Sequence, residues 1–82
     1  METLKIKRWI EHLDGHYNCD IFELTNNNRI CINSDKSNGD TVQGWFIDTC
    51  GNSIDTNIWR IRPVFDSTND HELQAFELLD II

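Results

Sequence analysis

The middle of the chain carries the most easily interpreted hydrophobic pattern. Residues 20–25 and 29–33 are rich in isoleucine and phenylalanine, and they flank the asparagine triplet at 26–28. Asparagine tolerates the left-handed backbone angles that tight turns require. This segment therefore predicts two antiparallel strands joined as a β-hairpin.

A second apolar pair, residues 45–49 and 57–65, predicts a further hairpin. The segment between them places Gly51 and Asn52 at the tip of a turn. Pro63 cannot donate a hydrogen bond to a neighbouring strand, so that end of the last strand is expected at a sheet edge or at a bulge.

The N-terminal segment fits two alternatives. Helical spacing relates four apolar residues ahead of Gly15, namely Ile6, Trp9, Ile10 and Leu13. The basic residues of this segment would then crowd the positive end of the helix dipole. The competing interpretation is a hairpin that turns at Asp14-Gly15 and pairs Ile10 with Cys19. We favour the hairpin because it does not place basic residues against a helix dipole. It also puts five largely apolar side chains on one face of the sheet, namely Ile6, Ile10, Tyr17, Cys19 and Ile21.

Helix signals appear near the C-terminus. Asn69 and Glu72 form a variant of a capping box, and helical spacing continues through Leu73, Ala75, Phe76, Leu78, Leu79 and Ile82. Residues 33–44 hold almost nothing to bury and predict a long exposed loop. The sum is an α+β fold, a small antiparallel sheet or partly open SH3-like or OB-like barrel of four to five strands with one C-terminal helix. Residues 1–82 are expected to form a single compact domain, because a second core would leave each half too small.

Charge and cysteine content narrow the class of protein. The chain has 7 basic and 14 acidic residues and a net charge of −7, which is the wrong sign for general binding to phosphate backbones. Its 3 cysteines include no CxxC pair, and this favours a reduced cytoplasmic compartment over a secreted disulfide scaffold. No apolar run approaches the roughly 18 residues needed to cross a bilayer.

Sequence patterns for catalysis and metal binding are weak. Cys19, Cys31 and Cys50 lie beside apolar residues, without a glycine-rich elbow, and a buried structural thiol is the usual role in such surroundings. His12 and His16 are separated by the expected turn, and no spacing matches a zinc knuckle or an EF-hand. We therefore expect no enzymatic activity, no metal and no cofactor.

The alternative function is a small barrel module that binds single-stranded nucleic acid or regulates transcription. Two aromatic residues have basic neighbours in the sequence, Trp9 with Lys7 and Arg8, and Trp59 with Arg60 and Arg62. If the first and fifth strands were neighbours, these side chains would form one basic and aromatic strip. The competing interpretation is that both tryptophans fill the core.

An acidic domain without catalytic patterns is typical of a protein that occupies a basic surface on a larger protein. Its carboxylates can take the place of nucleic-acid phosphates and can speed association by long-range attraction. We predict a non-enzymatic inhibitor or modulator of a host protein with a basic surface. The composition, rich in Asn, Ile and Asp and poor in Ala, favours a phage or mobile-element antagonist of a nucleic-acid-processing or defence complex. An antitoxin that caps a basic toxin would use the same mechanism, whereas plain solvation is the competing explanation of the charge.

The expected partner surface is the outer face of the C-terminal helix. Winding residues 70–82 at about 100° per residue gathers one acidic arc, which contains Asp70, Gln74, Glu77 and Asp80, with Leu73 and Ile81 among them. Apolar side chains ringed by carboxylates suit a protein contact. The acidic loop around Asp35 and Asp40 is the second expected surface.

Overall fold

The computed structural model describes residues 2–15 and 18–82, and its fold is all-β. Six antiparallel strands follow one another around a closed barrel, and the first strand also pairs with the last. The expected α+β fold with four to five strands and one helix is therefore wrong, since no described residue is helical. The strands are β1 (Glu2–Leu13), β2 (Cys19–Leu24), β3 (Arg29–Asn38), β4 (Thr41–Ile47), β5 (Trp59–Asp66) and β6 (Glu72–Ile81).

The barrel interior is filled by large apolar side chains. Leu24, Ile30, Ile61 and Phe76 are at most 1% exposed, and burial of such side chains is the main force that drives folding. We refer to this set as the interior core. It also contains Leu4, Ile32 and Leu78, and Ile6, Phe22, Val42, Phe46, Trp59 and Leu73 pack against it.

A second apolar cluster lies on the outer face of β2, β3 and β4. Ile21 pairs with Cys31, and Cys31 pairs with Trp45, and directly paired residues share a face of the sheet. Because side chains alternate along a strand, Cys31 lies on the opposite face from Ile30 and Ile32, which belong to the interior core. We refer to the outer set as the outer cluster. It consists of Cys19, Ile21, Cys31 and Ile47, with Ile10 and Trp45 packed against it.

The first hairpin expected in the middle of the chain is present. The second pair of strands is also antiparallel, but the predicted pairing is wrong, since residues 42–44 rather than 45–49 pair with β5 and residues 48–58 connect the two strands. Asn27, in the turn between β2 and β3, has a φ of 72°, as the asparagine triplet predicted. Gly51, in the connection between β4 and β5, has a φ of 88°. Pro63 lies beyond Ile61, the last β5 residue that pairs with β4. This end of β5 is therefore at the edge of that ladder, as expected.

The expected C-terminal helix is wrong, because residues 72–81 form strand β6. This strand pairs with both β1 and β5. The backbone hydrogen bonds and packing of these two pairings outweigh the helix propensity of its residues. The ladder with β5 is interrupted twice, where Gln74 and Leu79 are extra residues without a direct partner. Such a bulge shifts the alternation by one position. Leu73 and Phe76 therefore both reach the interior core at a spacing of three that imitates a helix.

At the N-terminus, the favoured interpretation as a strand is confirmed, but the predicted register is wrong. Leu13 pairs with Cys19, whereas the tight turn had predicted that Ile10 would do so. The connection consists of residues 14–18 rather than Asp14-Gly15 alone, and this shifts the whole ladder. Tyr17, expected on the face of Ile10, lies outside the described residues.

The long loop expected at residues 33–44 is an extension of the hairpin between β3 and β4. Strand β3 continues to Asn38 and β4 begins at Thr41, so that only Gly39 and Asp40 connect them. Gly39 has a φ of 66°, and the Thr41 hydroxyl donates to the Asn38 carbonyl oxygen at 2.9 Å. The sequence resembled that of a loop because residues 34–38, the second half of β3, are exposed to solvent.

Candidate functional site

A cleft of about 750 Å³ opens on the outer face of the barrel, over the outer cluster. Its floor is formed by residues of β2, β3 and β4, namely Cys19, Ile21, Cys31, Trp45 and Ile47. Its walls include residues 13–15 of the β1–β2 hairpin and residues of the β4–β5 connection. We refer to it as the outer cleft. Its volume falls in the range of about 300–1,000 Å³ that ligand-binding clefts show.

Side-chain hydrogen bonds order the β4–β5 connection, which forms one wall of the outer cleft. Asp48 Oδ1 accepts hydrogen bonds from the backbone N–H groups of Cys50 and Asn52, at 2.9 and 3.0 Å. Asp55 Oδ1 accepts one from the backbone N–H of Asn57 at 2.9 Å. Turns of this kind satisfy backbone groups locally. The wall is therefore a series of hydrogen-bonded turns.

Two apolar side chains on the rim of the outer cleft are open to solvent. Leu13, at the end of β1, is 43% exposed, and Ile58, just before β5, is 41% exposed. Both side chains line the cleft. By contrast, Cys19 and Ile21 on its floor are only 2% and 5% exposed. Exposed apolar side chains around a buried apolar floor are the usual composition of a binding surface.

Polar side chains surround the apolar floor of the outer cleft, namely Asp14, Asn33, Lys36, Gln43, Ser53, Asp55, Thr56 and Asn57. Among them Asn33 is buried. The Asn33 side-chain oxygen accepts a hydrogen bond from the backbone N–H of Asp35 at 3.2 Å. The amide groups of Asn33 and Gln43 can donate to a ligand as well as accept from one.

A smaller cavity of about 210 Å³ adjoins the outer cleft. The two share Leu13, Ile21, Ile47 and Gly51, and we refer to the smaller one as the side cavity. Acidic side chains outnumber basic ones around the pair. The acidic ones are Glu11, Asp14, Asp48 and Asp55, and the basic ones are Arg29 and Lys36.

The thiols on the floor of the outer cleft are poor candidates for catalysis. Burial raises the pKa of the Cys19 thiol, and it raises the pKa of Cys31 to about 12. Both thiols are therefore protonated at neutral pH, and a protonated thiol is a weak nucleophile. Cys50 is exposed and does not line the outer cleft, so the three cysteines do not form one site.

A hydrogen-bonded group of polar side chains joins the ends of β1 and β2. His12 Nδ1 lies 2.9 Å from Asp20 Oδ1, and His12 Nε2 lies 3.2 Å from Asp14 Oδ1. Trp9 Nε1 donates to the same Asp20 oxygen at 3.2 Å. The hydrogen bond with Asp20 is the main reason why the pKa of His12 is raised above its usual 6.5. This group braces the hairpin that carries Leu13, a rim residue of the outer cleft.

The helical arc expected to carry an acidic surface is not formed, because residues 72–81 form strand β6. Glu77 and Asp80 pair with Arg62 and Arg60 of β5, and therefore lie on one face of the sheet. Asp80 accepts two hydrogen bonds from Arg60, at 2.7 and 3.1 Å, and Leu73 packs against the interior core. Asp70 lies in the turn before β6 with a φ of 52°, and Glu77 is half-buried within β6.

The two aspartates of the second expected surface have different partners. Asp40 Oδ2 accepts a hydrogen bond from Arg62 Nε at 3.0 Å. Asp35 accepts one from Asn18 Nδ2 at 3.4 Å, and its own backbone N–H is bonded to Asn33. Asp35 is therefore adjacent to the outer cleft, whereas Asp40 is paired with β5.

The basic and aromatic strip that the nucleic-acid alternative required is not formed. Strand β6 separates β1 from β5 in the barrel. Trp59 packs against the interior core, and Arg60 and Arg62 are bonded to the carboxylates of β6 and of the β3–β4 turn. Arg8 Nε lies 2.8 Å from Glu23 Oε1, and Lys7 Nζ lies 3.9 Å from the same oxygen. These basic groups are already neutralised by local carboxylates.

Neither a metal centre nor a membrane-spanning helix is seen in the part of the chain that the structure describes. Among residues 2–15 and 18–82, no group of at least three His, Cys, Asp or Glu side chains could hold a metal ion. His16, considered with His12 as a ligand pair, lies outside these ranges. No helix within them is long and apolar enough to cross a membrane.

The residues of the outer cleft were missed by sequence reasoning, although one signal was present. Ile30-Cys31-Ile32 and Trp45-Phe46-Ile47 are runs of consecutive apolar residues. A strand with one buried face alternates, so a continuous run indicates that both faces are apolar. The position of Leu13 and Ile58 on the rim depends on tertiary contacts and had no such signal.

Comparison of the chain with protein-family models, with curated proteins and with solved structures found no match in any of the three.

Proposed function

We propose that this protein is a non-enzymatic, acidic binding domain that attaches to a larger protein and inhibits or modulates it. The observation that carries the proposal is the outer cleft, with its buried apolar floor and the exposed rim residues Leu13 and Ile58. Soluble domains rarely leave a concave apolar surface open to water unless a partner covers it.

The charge of the chain supports a basic partner. Its net charge is −7, and carboxylates predominate around the outer cleft and the side cavity. Such a surface repels polyanions and attracts cationic surfaces from a distance, which raises the rate of association. The single-stranded nucleic-acid alternative is disfavoured, because the basic residues on which it depended, Lys7, Arg8, Arg60 and Arg62, form ion pairs with local carboxylates.

A binding role rather than catalysis is supported by the side chains in the cleft and beside it. The two thiols on its floor are held protonated by burial, and His12 is bonded to carboxylates rather than to a nucleophile. A host protein in the cytoplasm, and a phage or mobile element as the source, stay predictions based on composition and free cysteines.

Affinity purification from a bacterial lysate with three forms of the protein tests this proposal. The forms are the native chain, Ile58→Asp on the rim, and Phe65→Asp as the matched control. Phe65 is 56% exposed but does not line either cavity. We expect one basic protein to be retained by the native chain and by Phe65→Asp, and to be lost with Ile58→Asp.

The retained protein is then purified and mixed with the native chain. Binding should weaken as salt rises, and an activity of the partner should change when the complex forms. Failure to retain any protein, or equal retention by all three forms, would contradict the proposed function of the outer cleft.

A further inference from the structure

Resting on the proposed function, we infer the kind of segment that the outer cleft recognises: a polypeptide segment with adjacent bulky apolar side chains, flanked by lysine or arginine. The apolar side chains enter the outer cleft. The flanking basic side chains lie against the carboxylates around it.

The size and surface of the outer cleft favour more than one apolar side chain. A volume of about 750 Å³ is comparable with clefts that enclose drug-sized ligands. The apolar surface open to a ligand comes from Leu13, Ile58 and the half-buried Trp45, because the other floor residues are at most 5% exposed. Leu13 and Ile58 would lose their remaining solvent exposure against such a segment, which adds hydrophobic stabilisation.

The distribution of charge favours basic flanking residues. Asp14 and Asp55 border the outer cleft, and Glu11 and Asp48 border the side cavity. The Asp14 side chain contacts His12 through Oδ1, but it is 89% exposed, so a cation in solution can still approach it. In the described residues the cationic side chains are fewer, with Lys36 lining the outer cleft and Arg29 lining the side cavity. A fatty acid or an acidic peptide would therefore meet net repulsion.

The polar groups of the cleft suit a peptide better than a purely apolar molecule. Asn33 and Gln43 lie among apolar lining residues, and a side-chain amide can both donate to and accept from a peptide backbone. A bound segment must find partners for the backbone groups that it removes from water. These two amides can supply part of that requirement.

Fluorescence polarisation with defined peptides tests the inference. The probe is a labelled peptide with Leu-Phe at its centre and Arg-Lys on each side. In one comparison peptide Gly-Ser replaces Leu-Phe, and in another glutamates replace the basic residues. We expect the native chain to bind the probe at least about tenfold more tightly than either comparison peptide. The Gly-Ser peptide lacks the central apolar anchor, and the glutamate peptide is repelled by the carboxylates around the cleft.

Matched variants locate the binding site. Ile58→Asp should weaken binding of the probe by at least about tenfold, whereas Phe65→Asp should leave it unchanged. Asp55→Asn removes one charge but keeps an oxygen that can accept the Asn57 N–H, and it should weaken binding by about two- to fivefold. Asp70 lines neither cavity and has a left-handed φ of 52° that asparagine tolerates, so Asp70→Asn removes the same charge and should have no effect. Circular dichroism of each variant confirms that the fold is retained.

Two outcomes would overturn the inference. Equal affinity for the probe and the Gly-Ser peptide, or equal weakening by Asp55→Asn and Asp70→Asn, would show that no specific segment is recognised. If a lysate protein is still captured in a manner that depends on Ile58, the proposed function stands and only the segment chemistry is wrong. Concentration-dependent dimerisation that Ile58→Asp abolishes would instead identify a second copy of the chain as the occupant.

Discussion

The ring of Phe22 on β2 meets the ring of Phe76 on β6 edge to face, with centroids 5.1 Å apart and planes inclined at 70°. Strand β1 lies between β2 and β6 in the ring of strands, so this contact reaches across the barrel interior. Edge-to-face pairs stabilise beyond the area that they bury. The contact therefore links β6 to the β1–β2 hairpin through side chains, in addition to the backbone pairing of β6 with β1.

Truncation of Phe76 should destabilise the fold severely. Phe76 is 1% exposed, and replacement of a buried phenylalanine by alanine costs about 3–5 kcal/mol. That is a large part of the roughly 5–15 kcal/mol available to a small domain. We expect Phe76→Ala to lower the urea midpoint strongly or to prevent folding. Phe65→Ala, at an exposed position, is the control, and a similar loss in both variants would contradict the interior position of Phe76.

Gly44 is expected to tolerate no side chain, although it lies in a strand. A Cβ atom there would lie 2.8 Å from both the Cys31 carbonyl oxygen and Ile61 Cδ1, and 3.0 Å from Ile32 Cδ1. Overpacking of this kind costs about 1–3 kcal/mol. We therefore expect Gly44→Ala to lower the free energy of unfolding by that amount, as measured by urea denaturation.

Gly15 provides the control for Gly44, because nothing lies within 4 Å of a Cβ atom built there. Gly15→Ala should change stability by no more than about 0.5 kcal/mol. If both alanine variants were equally stable, close packing of β4 against its neighbours at Gly44 would be refuted.

Local turn chemistry made part of this fold predictable. The asparagine triplet at 26–28 fixed the β2–β3 hairpin, because the φ of 72° at Asn27 is one that asparagine tolerates. The same logic located the turn near Gly15 but gave the wrong register, because the connection is longer than Asp14-Gly15 suggested. Turn residues thus indicate where strands reverse, while the pairing depends on contacts that are not local.

The C-terminal strand and the outer cleft could not be predicted in the same way. Bulges at Gln74 and Leu79 break the alternation of inward and outward side chains along β6. The apolar residues are then spaced irregularly, and their spacing resembles the 3.6-residue repeat of a helix. The outer cleft depends on the alignment of Ile21, Cys31 and Trp45 across three strands. Continuous apolar runs reveal a second apolar face, but they do not reveal which loops surround it.

The three cysteines should react with alkylating reagents at very different rates. A thiol with a pKa of about 12, as for Cys31, is ionised in only about one molecule in ten thousand at pH 8. Cys19 and Cys31 are also buried, whereas Cys50 is exposed. We expect mass spectrometry of the folded protein treated with iodoacetamide to show one rapidly added group. Two more should appear only on unfolding.

Cys50→Ser is the control for the alkylation experiment, and it should abolish the rapid phase without changing the slow one. Rapid modification of two or three sites in the folded protein would mean that the floor of the outer cleft is open to the reagent. That result would contradict the burial of Cys19 and Cys31.

The environment of His12 should make stability depend on pH near neutrality. Both ring nitrogens lie beside carboxylate oxygens, of Asp20 at 2.9 Å and of Asp14 at 3.2 Å, and the hydrogen bond with Asp20 is the main cause of the raised pKa of His12. Since the folded pKa exceeds the unfolded one, protonation of His12 favours the folded state. This contribution is complete below the unfolded value of about 6.5 and is lost as pH rises through the folded pKa.

Two measurements check this dependence on pH. NMR titration of the native chain should place the pKa of His12 above 6.5, and Asp20→Asn should lower it, because the carboxylate that stabilises the imidazolium is gone. Urea unfolding of the native chain and of His12→Gln, at about pH 5.5 and pH 8.5, isolates the contribution of this side chain to stability. We expect the native chain to exceed the variant by more at the lower pH, where His12 is charged in both the folded and unfolded states. A difference that stays the same at both pH values would mean that folding does not change the pKa of His12.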